Sequence, residues 1–104
     1  SSIPAIEEFI NCLCNVRDWD ALAYIRDIYE RALNSLKEAG DEADDALIYI
    51  YRFAKRRLVY RLIVNDDLEE AELMLKEMID NGEDAGFAKM ELEYIKKLRG
   101  EENK

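Results

Sequence analysis

The sequence contains no histidine, no glutamine and no threonine among its 104 residues. The absence of histidine excludes a histidine general base, and with it the histidine-dependent serine and cysteine nucleophiles. A charged fraction of 38% without glutamine is typical of hyperthermophilic proteins, so we expect a thermostable chain. The same composition fits an engineered or de novo designed helical protein, in which strong helix formers and short connections are common.

Cysteine is also scarce, with Cys12 and Cys14 as the two examples. Two residues apart on a helix, their side chains point to different faces. A zinc site would need further cysteine or histidine ligands, and the sequence has none. We therefore expect no metal site and no cofactor, and we interpret at least one of the two cysteines as a core-packing residue.

Long apolar runs are missing as well. The longest uninterrupted one is residues 46–51, far below the roughly 20 residues that cross a membrane. No basic segment followed by an apolar one opens the chain. These features predict a soluble protein without membrane association, located in the cytoplasm if the chain is natural.

The net charge of −9 comes from 24 acidic and 15 basic residues. Nucleic-acid binding proteins carry basic surfaces, so the charge argues against a nucleic-acid partner. It permits another protein with a basic surface as the partner, or mimicry of a nucleic acid. The composition is compatible with a monomer or a homodimer.

Apolar residues recur with helical spacing along the whole chain, and no strand pattern appears. Glycines at 40, 82 and 100 stop three of the predicted helices. The sequence therefore predicts a compact all-α bundle forming a single domain over residues 1–100, with a frayed tail at residues 101–104. The five predicted helices cover residues of about 4–15, 19–39, 42–64, 67–80 and 85–99.

Aspartates precede four of the predicted helices and are expected to cap them. The expected caps are Asp18, Asp41 with Asp44 in a capping box, Asp66 or Asp67, and Asp84. On the fifth helix, the spacing places Phe87, Ala88, Tyr94, Ile95 and Leu98 on the inner face.

Residues 65–82, NDDLEEAELMLKEMIDNG, resemble the second helix of a helical-hairpin repeat of the tetratricopeptide or pentatricopeptide kind. The similarity covers about 20 residues, and a faint internal echo lies about 50 residues away, whereas those repeats are about 34 residues long. The Trp, Gly and Pro landmarks of such repeats are not matched. We interpret the resemblance as a consequence of general helix-hairpin physics.

The third predicted helix is apolar on nearly every face, which is typical of a central helix. It also carries five basic residues and three tyrosines. Arginine binds carboxylate and phosphate in two-pronged fashion, and tyrosine adds stacking and a hydroxyl. The candidate ligand-binding residues for an anion such as a nucleotide are Arg52, Arg56, Arg57, Arg61, Tyr49 and Tyr60. The alternative is structural ion pairing, because residues 62–95 hold eleven acidic residues and two basic ones.

Caps, stops and apolar faces account for nearly every residue, so little of the sequence indicates chemistry. We therefore predict a non-catalytic helical scaffold or protein–protein interaction module with no catalytic residues. Trp19 and Tyr24 are the candidate partner-binding residues. The alternative function is a helical bundle that binds a small molecule or anion through the arginine and tyrosine cluster.

Overall fold

The computed structural model describes residues 3–14 and 19–100, and within them it contains five α-helices and no β-strand. The predicted all-α fold is confirmed. None of the described helices combines the length and the apolar character that a membrane span requires. The helices are α1 (Ile3–Cys14), α2 (Trp19–Ala39), α3 (Asp45–Val64), α4 (Leu68–Asp80) and α5 (Ala85–Arg99).

Several expectations fall on residues that the structure leaves out. The turn at residues 15–18, the cap at Asp18 and the tail at residues 101–104 lie outside the described residues. The same holds for the side chains of Cys12, Cys14 and Trp19.

The predicted start of α3 was wrong by three residues. A 3-10 turn at Gly40–Glu42 follows α2, and the chain is extended at Ala43 before α3 begins. Asp44, and not Asp41, is the cap, because its Oδ1 accepts a hydrogen bond of 2.8 Å from the N–H of Leu47. The left-handed φ of +56° at Gly40 ends α2 as predicted.

Two other predicted capping residues directly precede their helices but lack the expected capping hydrogen bond. Asp67 precedes α4 and Asp84 precedes α5, but neither side chain makes a capping hydrogen bond. At Asp84 the backbone is left-handed, with a φ of +47°, and so departs from the extended backbone of an ordinary capping residue.

Contacts divide the chain into two units, Ser1–Arg61 and Leu62–Lys104. In the first unit α1 packs against α2. The residues buried on these two helices are Ile10, Ala21, Leu22, Ile25 and Ala32. The expectation of a single domain over residues 1–100 stays a prediction.

The second unit contains the last three residues of α3 together with α4 and α5, which pack against each other. Arg99 on α5 donates a hydrogen bond of 2.9 Å to Glu72 on α4. The buried residues of these two helices, spaced three, four or seven apart, are Ala71, Leu75, Met78, Ala88 and Ile95.

In the described part of the chain, α3 carries more buried residues than any other helix. This agrees with its apolar residues on nearly every face. Two of its buried residues are basic, namely Lys55 and Arg61.

The C-terminal end of α3 is closed by a Schellman motif. The N–H of Asp67 donates to the carbonyl of Leu62 at 2.8 Å, and the N–H of Asp66 donates to the carbonyl of Ile63 at 3.0 Å. Asp66 takes a φ of +65°, a left-handed conformation that costs an L-residue on the order of 1 kcal/mol.

The C-terminal end of α4 uses the same motif with glycine at the equivalent position. The N–H of Gly82 donates to the carbonyl of Ile79 at 3.0 Å, and the N–H of Glu83 donates to the carbonyl of Met78 at 2.8 Å. Gly82 has a φ of +66°, which glycine adopts without steric cost. The two motifs therefore differ at the left-handed position, where the backbone is strained at Asp66 and unstrained at Gly82.

Replacing Asp66 with glycine should raise the free energy of unfolding by about 0.5–1 kcal/mol, because the left-handed strain is removed. Urea unfolding followed by circular dichroism measures the change. The control Asp66→Asn removes the charge and keeps a side chain, so its gain should be smaller. Gly82→Ala should lower the free energy of unfolding by about 1 kcal/mol. If Asp66→Gly is less stable than Asp66→Asn, the strain argument is wrong.

Candidate functional site

The six predicted ligand-binding residues do not share one surface of α3. An α-helix turns by about 100° per residue, so residues nine apart lie on opposite sides. Arg52 is exposed, whereas Arg61, nine residues later, is fully buried with 0% exposure. The residues that the structure places along one face, at spacings of three and four, are Tyr49, Arg52, Arg56 and Tyr60.

Most of the cluster has contacts within the protein. The Arg57 guanidinium carbon lies 5.4 Å from the centroid of the Phe53 ring, a cation–π distance. Phe53 in turn stacks with Tyr49 at 6.2 Å between centroids. Arg56 and Arg61 each have an interaction partner. Ligand binding by this cluster, and its ion pairing with the acidic fourth helix, both stay predictions.

Lys55 is nearly buried, with 3% exposure, and its ammonium group is held by a tyrosine. Its Nζ donates a hydrogen bond of 3.1 Å to the hydroxyl of Tyr51 and lies 5.3 Å from the centroid of that ring. Tyr51 stacks on Tyr29 of α2 at 5.6 Å between centroids. This cluster ties α3 to α2 inside the first unit, and Lys55 does not join Arg52 on the exposed face.

The candidate partner-binding residues have a mixed outcome. Tyr24 is exposed on α2, as a partner-binding role requires. The side chain of Trp19 lies outside the described residues. Partner binding at either residue stays a prediction.

An open groove with a cavity volume of about 520 Å³ lies in the first unit. Three helices form its walls, and most of the lining side chains are apolar. They include Ile6 and Phe9 from α1, Ile28 and Ala32 from α2, and Leu47 and Ile50 from α3. None of the six candidates on α3 lines this groove.

The polar side chains among the described lining residues are those of Arg31 and Ser35, which lie one helical turn apart on α2. We call these two residues the polar edge of the groove. The Nε of Arg31 pairs with Oδ2 of Asp27 at 2.9 Å, and both side chains are exposed. An exposed pair of this kind contributes only about 0–1 kcal/mol, so the guanidinium is able to accept a second anionic partner.

A hydrogen bond beside the groove connects α1 to α3. The hydroxyl of Tyr49 donates a hydrogen bond to the carboxylate of Glu7. Tyr49 precedes the groove residue Ile50 in the sequence, and Glu7 follows the groove residue Ile6. The pKa of Tyr49 is raised above 10.0, chiefly because the hydrogen bond to Glu7 stabilises the protonated phenol; desolvation and the negative charge of Glu7 act in the same direction.

Glu7→Gln should lower the pKa of Tyr49 toward 10.0, because the charged acceptor is lost. Folding raises this pKa, so the contribution of the bond to stability is present below about pH 10 and is lost as the pH rises through the raised pKa. NMR titration of tyrosines labelled at the ring carbon that bears the hydroxyl, with Tyr49→Phe for assignment, measures the shift. Glu8→Gln, one residue away, is the control and should leave the titration unchanged. An unchanged Tyr49 titration in Glu7→Gln would contradict this assignment.

The second unit has an exposed row of large apolar side chains on α5. Met90, Tyr94 and Leu98 follow each other at one helical turn and are 74%, 49% and 49% exposed. We call these three residues the α5 row. The sequence-based prediction that Tyr94 and Leu98 lie on the inner face was wrong. The apolar side chains of α5 cover a wider part of the helix circumference than the side that faces the core, so these two are exposed. Ile95 is buried as predicted.

Glu91 lies on the core-facing side of α5, between the buried residues Ala88 and Ile95 at spacings of three and four. Partial burial raises the pKa of its carboxyl above the ordinary 4.5, because desolvation disfavours the ionised form. The charged form of Glu91 is therefore less favourable in the folded chain than in the unfolded one.

Glu91→Gln should raise the melting temperature at pH 7, because a neutral amide is easier to desolvate than a carboxylate. The folded pKa lies above the unfolded one, so the wild-type chain loses stability as the pH rises through the folded pKa. The difference between the two chains should vanish below about pH 4, where Glu91 is protonated. Melting curves at both pH values measure this. Glu93→Gln, at an exposed residue 3.5 Å from Lys96, should show no such gain.

No group of three or more potential ligands able to hold a metal ion occurs among the described residues. Comparison of the chain with protein-family models, with curated proteins and with solved structures gives no match. The two surfaces of the described chain that are suited to binding are the groove and the α5 row.

Sequence reasoning missed both surfaces, although each left a signal. On α2, Ala32 and Ser35 lie four and seven residues after Ile28, where the helical repeat would place large apolar side chains. Small side chains at these positions leave space, and that space is part of the groove. On α5, the apolar arc is wider than one core-facing stripe, which indicates a second apolar surface.

Proposed function

We propose that the chain is a non-catalytic helical module that binds another protein through the α5 row. The observation that carries the proposal is the exposure of Met90, Tyr94 and Leu98 at successive turns of one helix. Apolar patches on a surface mark interaction sites when they are contiguous. A row at this spacing is the complement of the apolar stripe of an amphipathic helix.

The rest of the second unit holds the α5 row in place. Ala88 and Ile95 are buried on the core-facing side of α5, so the helix has a defined rotation about its axis. The bond of 2.9 Å between Arg99 and Glu72 adds a polar link to α4. A helix that is fixed in this way presents its exposed side chains at lower entropic cost, which favours binding.

The charge of α5 indicates the chemistry of the partner. Four basic and two acidic residues give α5 a net charge of +2, in a chain whose net charge is −9. Lys89 and Lys97 are exposed next in sequence to Met90 and Leu98. The partner that fits is an amphipathic helix with acidic residues beside its apolar stripe. This differs from the basic partner that the overall charge permits.

Two designed helical peptides with identical leucine stripes, one flanked by glutamate and one by lysine, test the proposal. We expect the acidic peptide to bind in the micromolar range and the basic peptide at least tenfold more weakly. Tyr94→Ser should weaken binding of the acidic peptide about tenfold, because an aromatic contact is lost. Fluorescence anisotropy of labelled peptides measures both effects.

The matched control is Tyr24→Ser, at an exposed tyrosine on α2 that is itself the sequence-based candidate. It should leave the affinity for the acidic peptide unchanged. If Tyr24→Ser weakens binding and Tyr94→Ser does not, the interface belongs to α2 and the assignment to α5 is wrong. Equal affinities for the two peptides would contradict the preference for an acidic partner. The absence of binding by either peptide would contradict the proposal as a whole.

A further inference from the structure

We propose that the groove of the first unit binds a small amphipathic anion, with its apolar body between α1, α2 and α3 and its carboxylate or sulfonate on Arg31. The site lies in Ser1–Arg61, apart from the α5 row, and does not rest on the proposed function. It uses none of the arginines that the sequence put forward as anion-binding residues.

The size of the groove suits a small ligand. A cavity of about 520 Å³ falls within the range of roughly 300–1,000 Å³ that is usual for ligand pockets. Its apolar walls with a few polar groups at one edge also match the usual lining of such pockets. Phe9, which lines the groove, is 51% exposed. Covering this ring would remove apolar surface from water and favour binding.

The shape of the groove disfavours a partner helix as the occupant. Among the described residues, its lining extends over residues 5–9 of α1 and 47–50 of α3, and over residues 28–35 of α2. At about 1.5 Å per residue, the first two walls are only about 5–6 Å long. A docked helix uses anchor residues spread over roughly 10 Å or more, from i to i+7, so two of the three walls are too short.

The charge at the edge selects an anion. Among the described residues that line the groove, Arg31 is the charged one, and it lies at the end of an apolar surface in an otherwise acidic protein. Its pair with Asp27 uses Nε, and the guanidinium carries further donors on its two terminal nitrogens. The hydroxyl of Ser35, one turn later, supplies a second donor. A carboxylate beside an apolar chain satisfies both features of the site.

Three twelve-carbon probes that differ in their head group test the charge selectivity on the full chain. They are dodecanoate, 1-dodecanol and dodecyltrimethylammonium, each used below its micelle-forming or solubility limit. Isothermal titration calorimetry should show one dodecanoate per chain, about tenfold weaker binding of the alcohol, and weaker binding again of the cation. The order follows from the guanidinium at the edge and the apolar walls that all three probes share.

Arg31→Met should reduce the affinity for dodecanoate to that for dodecanol and leave the dodecanol affinity unchanged. Arg31→Lys should retain a preference for the anion. The matched control is Arg52→Met, at an exposed arginine of α3, which should change none of the affinities. Ser35→Leu should weaken all three probes at least tenfold by filling the groove. Because Arg31 and Ser35 are exposed, these variants are expected to fold, and circular dichroism checks this.

Equal affinities for the three probes, or an unchanged dodecanoate affinity in Arg31→Met, would overturn the proposal. If Arg52→Met abolishes dodecanoate binding and Arg31→Met does not, the anion site belongs to the basic cluster on α3. Sedimentation equilibrium distinguishes a further occupant. A dimer that Ser35→Leu dissociates would assign the groove to a second copy of the chain and would also overturn the proposal.

Discussion

Burial of the apolar side chains of α3 is the constraint on which the rest of the structure depends. A helix of 20 residues is about 30 Å long, and this one is apolar on nearly every face. Exposing those side chains to water would cost more than the short turns and caps contribute. The helix therefore takes part in both units, with residues up to Arg61 in the first and Leu62 onward in the second.

The same burial explains why the basic residues of α3 are poor candidates for one binding site. A helix that is buried over much of its circumference distributes its side chains between interior and surface according to angle. Arg61 is fully buried, whereas Arg52, nine residues earlier and on the opposite side of the helix, is exposed. The basic residues of α3 lie close together in the sequence, but the helical turn of about 100° per residue places them on different sides of the helix.

The groove and the α5 row arise from opposite departures from regular packing. Small residues at Ala32 and Ser35 leave a depression along α2. Large residues at Met90, Tyr94 and Leu98 protrude from α5, because the core-facing side of that helix is already formed by Ala88 and Ile95. A depression suits a ligand that enters the protein, and a ridge suits a partner that lies over it.

These departures also mark the limit of what the sequence predicts. Helix number and most helix ends follow from local signals, such as the left-handed glycines at 40, 82 and 100, and they were predicted within a few residues. The start of α3 was predicted three residues too early, because a 3-10 turn at Gly40–Glu42 precedes the helix. The groove depends on the sizes of side chains from three helices together. The apolar pattern of any one helix therefore does not predict it.

The contrast between overall and local charge decides which partner chemistry is relevant. At an ionic strength of about 0.15 M, charges are screened over roughly 8 Å, so a net charge of −9 spread over the whole surface acts weakly at any one contact. Lys97 is next in sequence to Leu98 of the α5 row, and Arg31 lines the groove. Both are positive, and both adjoin apolar surface. Short-range recognition at these two surfaces should therefore favour acidic, amphipathic molecules.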